Sequence, residues 1–401
     1  MSRTDHIFRG AIDRRDAILH GALYVLVSCC VAFAQQQPAT FSQFRPRHEM
    51  PGEQFVGPKE CAECHAEKSR SQSQTAMRHA LGSPADSSVL RSHPRMTFRA
   101  GIYFYEISTS GQQSFYRVSN GNETISEPIA YVFGIGHIAQ TYVLRRNGKL
   151  YEGRVSYYSG IDGLDWTIGD AMNPPPSLEE AFGRDINSDE ARNCFSCHGT
   201  SATADDKLQV DHLIPGVTCE ACHGPGVSHV ALIHTIGPDL SGPSYILDPA
   251  KLDPDTLSQE FCGSCHRSAN AVGMMPDLGG INNVRFQPYR MSNSRGHDTT
   301  DAHFACIACH DPHVDLKHDA AFYDSNCKAC HALRGSTSIS GQHQNDGSAS
   351  KRPAHSIARR CKVADERCVT CHMPKVELPG AHFKFTDHRI RIARPGEPYP
   401  Y

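Results

Sequence analysis

Cys61-Ala62-Glu63-Cys64-His65, "CAECH", sets a histidine directly after two cysteines three residues apart. The pattern returns as CFSCH at 194–198, CEACH at 219–223, CGSCH at 262–266, CIACH at 306–310, CKACH at 327–331 and CVTCH at 368–372. At this chain's cysteine and histidine frequencies, chance predicts roughly 0.04 such strings, so seven copies share a chemical cause. Of the 17 cysteines, only Cys29, Cys30 and Cys361 fall outside them.

Three causes compete. A disulfide framework explains the even count but leaves the histidine without a task, since a disulfide needs only two sulfurs at suitable separation. Zinc uses both residue types, yet its ligand pairs are normally separated by a long arm. Covalent haem c uses every position: two sulfurs reach the two vinyl groups on one porphyrin edge, and the next residue brings its imidazole to the iron. The attachment cysteines are then Cys61 and Cys64, Cys194 and Cys197, Cys219 and Cys222, Cys262 and Cys265, Cys306 and Cys309, Cys327 and Cys330, and Cys368 and Cys371. The expected proximal ligands are His65, His198, His223, His266, His310, His331 and His372. Seven haems would also supply missing apolar mass, because 8% aromatic content with a single tryptophan, Trp166, makes a thin core for 401 residues.

After the seven proximal residues and His6 and His20, 15 histidines remain of the 24, about twice what a second imidazole on every iron requires. His79 lies 14 residues past His65; a helix throughout would separate the two by about 21 Å, so His79 would serve a different haem. His229 in "CHGPGVSH" and His313 in "CHDPH" follow their proximal histidines across sharp turns, and each is expected to reach a neighbour's iron.

The amino end, residues 1–34, reads as an export signal: Arg3, Arg9, Arg14 and Arg15 precede an apolar run from Ala22 to Ala34. Cleavage after Ala34 is the preferred reading, with a lipoprotein site at Cys29, and so an outer-membrane lipoprotein, as the competing one. No later stretch approaches the ~20 apolar residues of a membrane span. The expected location is periplasmic or extracellular.

Residues 35–95 form a first haem-binding segment. The 128 residues between the first two motifs change texture: "TFRAGIYFYEIS", "IAYVFGIG" and "TYVLRRNGKLYEGRVSYYS" are rich in Tyr, Phe, Val and Ile, and Asn147-Gly148 is a type I′ hairpin signal. Residues 96–160 are therefore expected to be a small antiparallel β insertion, covering the first haem. Residues 161–401 carry the other six motifs with gaps of 16 to 39 residues, rich in Pro, Gly, Asp and Ser, where polypeptide wraps cofactor. Close spacing pairs the second motif with the third and the fifth with the sixth. The fold class expected is mainly α with long loops and a haem core.

"PGVTCEACHGPGVSH", "CIACHDPH", "CVTCHMP", "HFKFTDHRIRI" and "IAQTYVLRRNGKLYEGRVSYYS" resemble exported multihaem cytochromes c related to the nitrifiers' tetrahaem carrier, pentahaem nitrite reductase and octahaem hydroxylamine oxidoreductase. The resemblance spans roughly residues 60–390. It implies a mostly helical haem-cored fold, stacked haem pairs and largely bis-histidine ligation, with His79, His229, His313 and His388 as distal ligands and His382 as a weaker one. No C-x-x-C is followed by lysine here, which disfavours the nitrite reductase mechanism.

Removing the leader's net +1 from −3 leaves about −4, and seven haems at about −1 each take the loaded protein to roughly −11. "KRPAHSIARRCK" at 351–362 and Arg389, Arg391 and Arg394 then pair most simply with haem propionates. Nucleic acid binding has no support. Cys361 is expected to be buried and inert. The function expected is electron transfer between redox partner proteins. A small-molecule oxidoreductase with one open iron and a self-associating filament subunit are the alternatives.

Overall fold

The chain from Leu81 to Ile186 forms ten antiparallel strands, the longer of which alternate buried and more exposed residues. They are β1 (Leu81–Gly82), β2 (Arg95–Ala100), β3 (Tyr103–Ser110), β4 (Gln113–Ser119), β5 (Thr124–Phe133), β6 (Ala139–Arg146), β7 (Lys149–Gly153), β8 (Val155–Tyr158), β9 (Gly163–Trp166) and β10 (Gly183–Ile186). The order is β10-β7-β6-β5-β4-β3-β2, with β1 beside β5 and β8 joining β6 to β9. Tyr103, Tyr105 and Ile107 of β3 are buried at period two, and β4 sets Val118 opposite Tyr105 and Tyr116 opposite Ile107. The sheet curls until β9 meets β2. Inside the curl Trp166 stands edge-on to Phe98 and Tyr105, at 5.3 and 5.9 Å between ring centres, and Tyr116 stands edge-on to Phe182 at 5.8 Å. Asn147 and Gly148, at φ 51° and 75°, close the β6–β7 hairpin with the backbone handedness that a type I′ turn demands.

This sheet overturns the expectation of a mainly helical fold with a small insertion near 96–160. β1 and β10 are two and four residues long and show no readable alternation, so only pairing with their neighbours reveals them. Among the described residues the helices are short; the longest two are Ser188–His198 and Val227–Ile236.

The sheet's other face packs against Ser188–His198, the helix of the second motif. Phe195 is fully buried there, with Tyr131 and Phe133 edge-on at 4.9 and 5.2 Å. The β-rich segment therefore packs on the helix of the second motif.

The described residues are 54–169, 172–204, 207–237, 244–274, 280–297, 304–331, 361 and 363–400, all within the unit Phe44–Tyr401. The leader 1–34 and, apart from Cys361, the basic stretch 351–362 lie outside them. Among the described residues no helix is long and apolar enough to cross a membrane. Of their buried hydrophobic side chains, 26 lie between Leu81 and Ala202 and only eight beyond, three of these being alanines. The part beyond Ala202, with five motifs, thus has little side-chain core among the described residues.

Gly216 joins the two halves. At φ 80° it sits where a Cβ would come within 1.8 Å of the Arg78 carbonyl oxygen, while Val217 N donates to Met77 O (3.0 Å) and Gln72 Nε2 to Val217 O (2.6 Å). Gly216→Ala is expected to cost about 2 kcal/mol or more beyond Gly111→Ala, which shares the positive φ but has open space. Equal thermal midpoints for the two variants would refute the close approach.

Candidate functional site

Residues i, i+3 and i+4 share one face of a helical turn, so C-x-x-C-H on a helix aims two sulfurs and an imidazole the same way. The motifs lie on such turns: Pro58–Cys64 capped by His65, Ser188–His198, Cys219–His223, Gly263–His266, Cys306–Ala308, Asp324–His331 and Val369–His372. His65 N, His310 N and His372 N donate back to Cys61 O, Cys306 O and Cys368 O at 2.9, 3.0 and 3.0 Å. The fourth motif differs, because a π-helical turn over Thr256–Cys262 leads into it.

A carbonyl oxygen can only accept, so an imidazole nitrogen bonded to one must carry the proton, leaving the other nitrogen's lone pair for a metal. His198 Nδ1 donates to Ala80 O (3.0 Å), His223 Nδ1 to Leu247 O (2.8 Å) and His372 Nδ1 to Arg391 O (2.8 Å). Three of the spare histidines share this arrangement: His229 Nδ1 donates to Ser244 O (2.8 Å), His388 Nδ1 to Thr386 O (3.0 Å) and His313 Nδ1 to the Asp311 carboxylate (3.0 Å). His79 and His382 do not, since their Nε2 atoms are engaged by Ser73 O (3.0 Å) and Asp165 Oδ2 (2.7 Å). The helix leading towards His79 also ends at Gln72, well short of it.

Two of these spare residues face motif histidines. The His223 and His313 ring centres are 6.0 Å apart with planes 16° from parallel, and those of His310 and His388 are 6.3 Å apart at 42°. Two metal–nitrogen bonds near 2 Å, plus ~1.1 Å from each nitrogen to its ring centre, would separate centroids by about 6 Å. Burial lowers His388 to about 4 and pushes His266 and His310 down as well, holding all three in the neutral form a ligand needs. His266 keeps solvent-accessible surface although protein atoms crowd round it. The donor atoms, the paired imidazoles and the sparse side-chain core all fit covalent haem.

The motifs also touch one another. The Cys61 and Cys219 thiols hydrogen-bond, which raises Cys61 and lowers Cys219 to about 7; Cys262 and Cys306 repeat this, with Cys306 lowered to about 7. Burial, then Asp324 and Cys327, raise Cys368 to about 12. The first motif thus meets the third, the fourth meets the fifth and the sixth meets the seventh, in addition to the contacts between neighbours in sequence. Cys222 lies within electrostatic reach of Cys262, Cys197 Sγ is 3.8 Å from Ser264 O, and the Asn326 amide donates to Ala308 O. Every motif is therefore linked to the rest.

Residues 175–224 match the family model of cytochrome c554 and c-prime. The matched segment contains the second and third motifs, and it supports covalently bound haem c and haem-based electron transfer. A crystal structure of the outer cell wall cytochrome OcwA aligns with TM-score 0.29 and 18% identity, over 53% of this chain. The chain spans 37% of that structure's length. No curated protein matches.

Several supporting residues escaped the sequence reading. Glu220, between the cysteines of the third motif, is wholly buried and accepts Val56 N, Gly57 N and Gly226 N, each at 2.8 Å. Asp387, next to His388, is wholly buried with Arg290. Asp324 accepts Arg367 N and Cys368 N at 2.6 and 2.8 Å, tying the sixth motif to the seventh. Cys361 is exposed, not buried, and backbone N–H groups of Ala364 and Val363 lower its thiol.

Proposed function

We propose that this is an exported seven-haem cytochrome c that passes single electrons along touching haem sites. The facing imidazoles of His223 with His313 and His310 with His388 carry this reading. A metal between paired side chains from distant parts of the chain explains why His223, His313 and His388 engage Nδ1 and leave Nε2 for a ligand bond at that separation. When bound, haem supplies a one-electron iron couple. The cysteines of the seven motifs would hold it, with His65, His198, His223, His266, His310, His331 and His372 on one side. His313 and His388 would lie opposite the third and fifth, and His229 would serve a further site. The inter-motif contacts favour a line of sites one, three, four, five, six and seven, with the second joining at the fourth. The arginine-rich leader supports a periplasmic or extracellular location. The motif strings support kinship with the nitrifier cytochromes, and redox proteins are the partners.

Mass spectrometry of the holoprotein is expected to show seven haem adducts, and electron paramagnetic resonance to show low-spin iron at the third and fifth sites. His313→Ala and His388→Ala should each convert one low-spin haem to a high-spin form that binds carbon monoxide when reduced. His382→Ala and His79→Ala should leave the spectrum unchanged. A spectrum unaltered by His313→Ala and His388→Ala would refute the ligand pairs. A high-spin, carbon monoxide-binding haem in the unmodified protein would favour an enzyme over a carrier.

A further inference from the structure

The fourth motif ends on an unusual pair of cations. Arg267 directly follows His266 and holds a left-handed backbone, φ 68°, that a long side chain rarely adopts, with its carbonyl accepting Tyr289 N at 3.3 Å. Arg285 lies within electrostatic reach of Arg267, its guanidinium 5.9 Å from the centre of the Phe286 ring. Its Nε is buried and has no hydrogen-bond partner among the described residues. Burial, which outweighs the favourable neighbour Tyr158, and the like charge of Arg267 both disfavour the charged form of Arg285. Among the described residues no carboxylate pairs with either guanidinium, although nearby arginines such as Arg290 and Arg391 share Asp387. Two half-buried guanidiniums of like charge repel, and a buried donor without an acceptor is costly, so the arrangement calls for a dianion.

We infer that Arg267 and Arg285 form the docking site for the propionate carboxylates of the haem attached at Cys262 and Cys265. The inference rests on the reading of Cys262–His266 as a haem site. A guanidinium fork matches a carboxylate's two oxygens, and the motif's own backbone brings Arg267 to the cofactor. The alternative source of the same chemistry is a free oxyanion from solution. Positive charge beside the propionates favours the more negative, reduced haem, so these arginines raise the potential of one site.

The test is a spectroelectrochemical titration of the holoprotein carrying Arg285→Gln, Arg285→Lys or Arg267→Gln. Arg285→Gln is expected to shift one haem's reduction equilibrium about tenfold towards the oxidised form, or ~59 mV for a one-electron couple. Arg285→Lys should restore most of it, and Arg267→Gln should move the same haem. Equal shifts for Gln and Lys, or none, would overturn the inference; should Arg285→Gln fail to accumulate, Arg267→Gln alone decides. Added sulfite or phosphate that moves the wild-type potential but not that of Arg285→Gln would assign the site to a solution anion and likewise overturn it. Absence of haem mass from the peptide containing Cys262–His266 would sink the underlying reading too, whereas a loaded peptide with unshifted potentials would sink this inference alone.

Discussion

Asp387→Ala is expected to destabilise the protein by about 3–5 kcal/mol and to turn one low-spin haem high-spin. Arg290 and Asp387 are both fully buried and bonded through two parallel contacts, Nε to Oδ1 at 2.8 Å and Nη2 to Oδ2 at 3.0 Å. Arg290 Nη1 also reaches Pro400 O at 2.9 Å, and its guanidinium stacks 4.6 Å from the Tyr399 ring centre. Asp387 further accepts Arg391 Nη1 (2.7 Å) and Arg389 N (3.0 Å). Removing the carboxylate strands a buried cation and frees the backbone on either side of His388. Burial pushes the Asp387 carboxyl up, but Arg290 and its neighbours outweigh it and leave the group below its ordinary value. A depressed folded-state value means stability that is present above the ordinary aspartate range, near ~4, and lost as pH falls through the lower folded one. The difference between wild type and Asp387→Asn should therefore shrink as pH drops below about 4. A low-spin count unchanged in Asp387→Ala would show that the pair does not position His388.

Glu220→Ala should cost about 3 kcal/mol, because one buried and two half-buried N–H groups lose a charged acceptor together. Those donors come from Val56, Gly57 and Gly226, so one carboxylate pins the start of the first motif's helix to the turn after the third. Gly226 leaves little space there, since a Cβ would meet Val56 Cγ2 at 3.0 Å and Glu220 Oε1 at 3.2 Å. Glu220→Gln keeps one acceptor oxygen and should fall between alanine and wild type. Limited proteolysis should cut Glu220→Ala near residues 54–60 while sparing wild type. Matching digestion patterns would refute the clamp.

The attachment motifs are legible in the sequence because their chemistry is local: two sulfurs and an imidazole within five residues need only one helical turn. His313 and His388 were legible as candidates through "CHDPH" and "TDH", but not their partners. Asp311, which bonds the His313 ring, stands two residues upstream of it, and the His388 ring is held by the Thr386 carbonyl two residues upstream. His79, and more weakly His382, were candidates as well, and they differ from His313 and His388 in which ring nitrogen the folded chain occupies. The β-rich texture near 96–160 was visible, whereas β1 and β10, too short to show a period, were not.

From residue order alone came the number and place of the paired cysteines, the histidine beside each, and a surplus of further histidines. Which imidazole faces which, which motifs touch and how far the sheet extends were decided by contacts between residues dozens of positions apart. Arg290 and Asp387 are 97 residues apart, and Val56 and Glu220 are 164. A covalent attachment pattern is written in neighbouring residues; a ligand pair or a buried ion pair is set by burial and packing, which exist only once the chain has closed on itself.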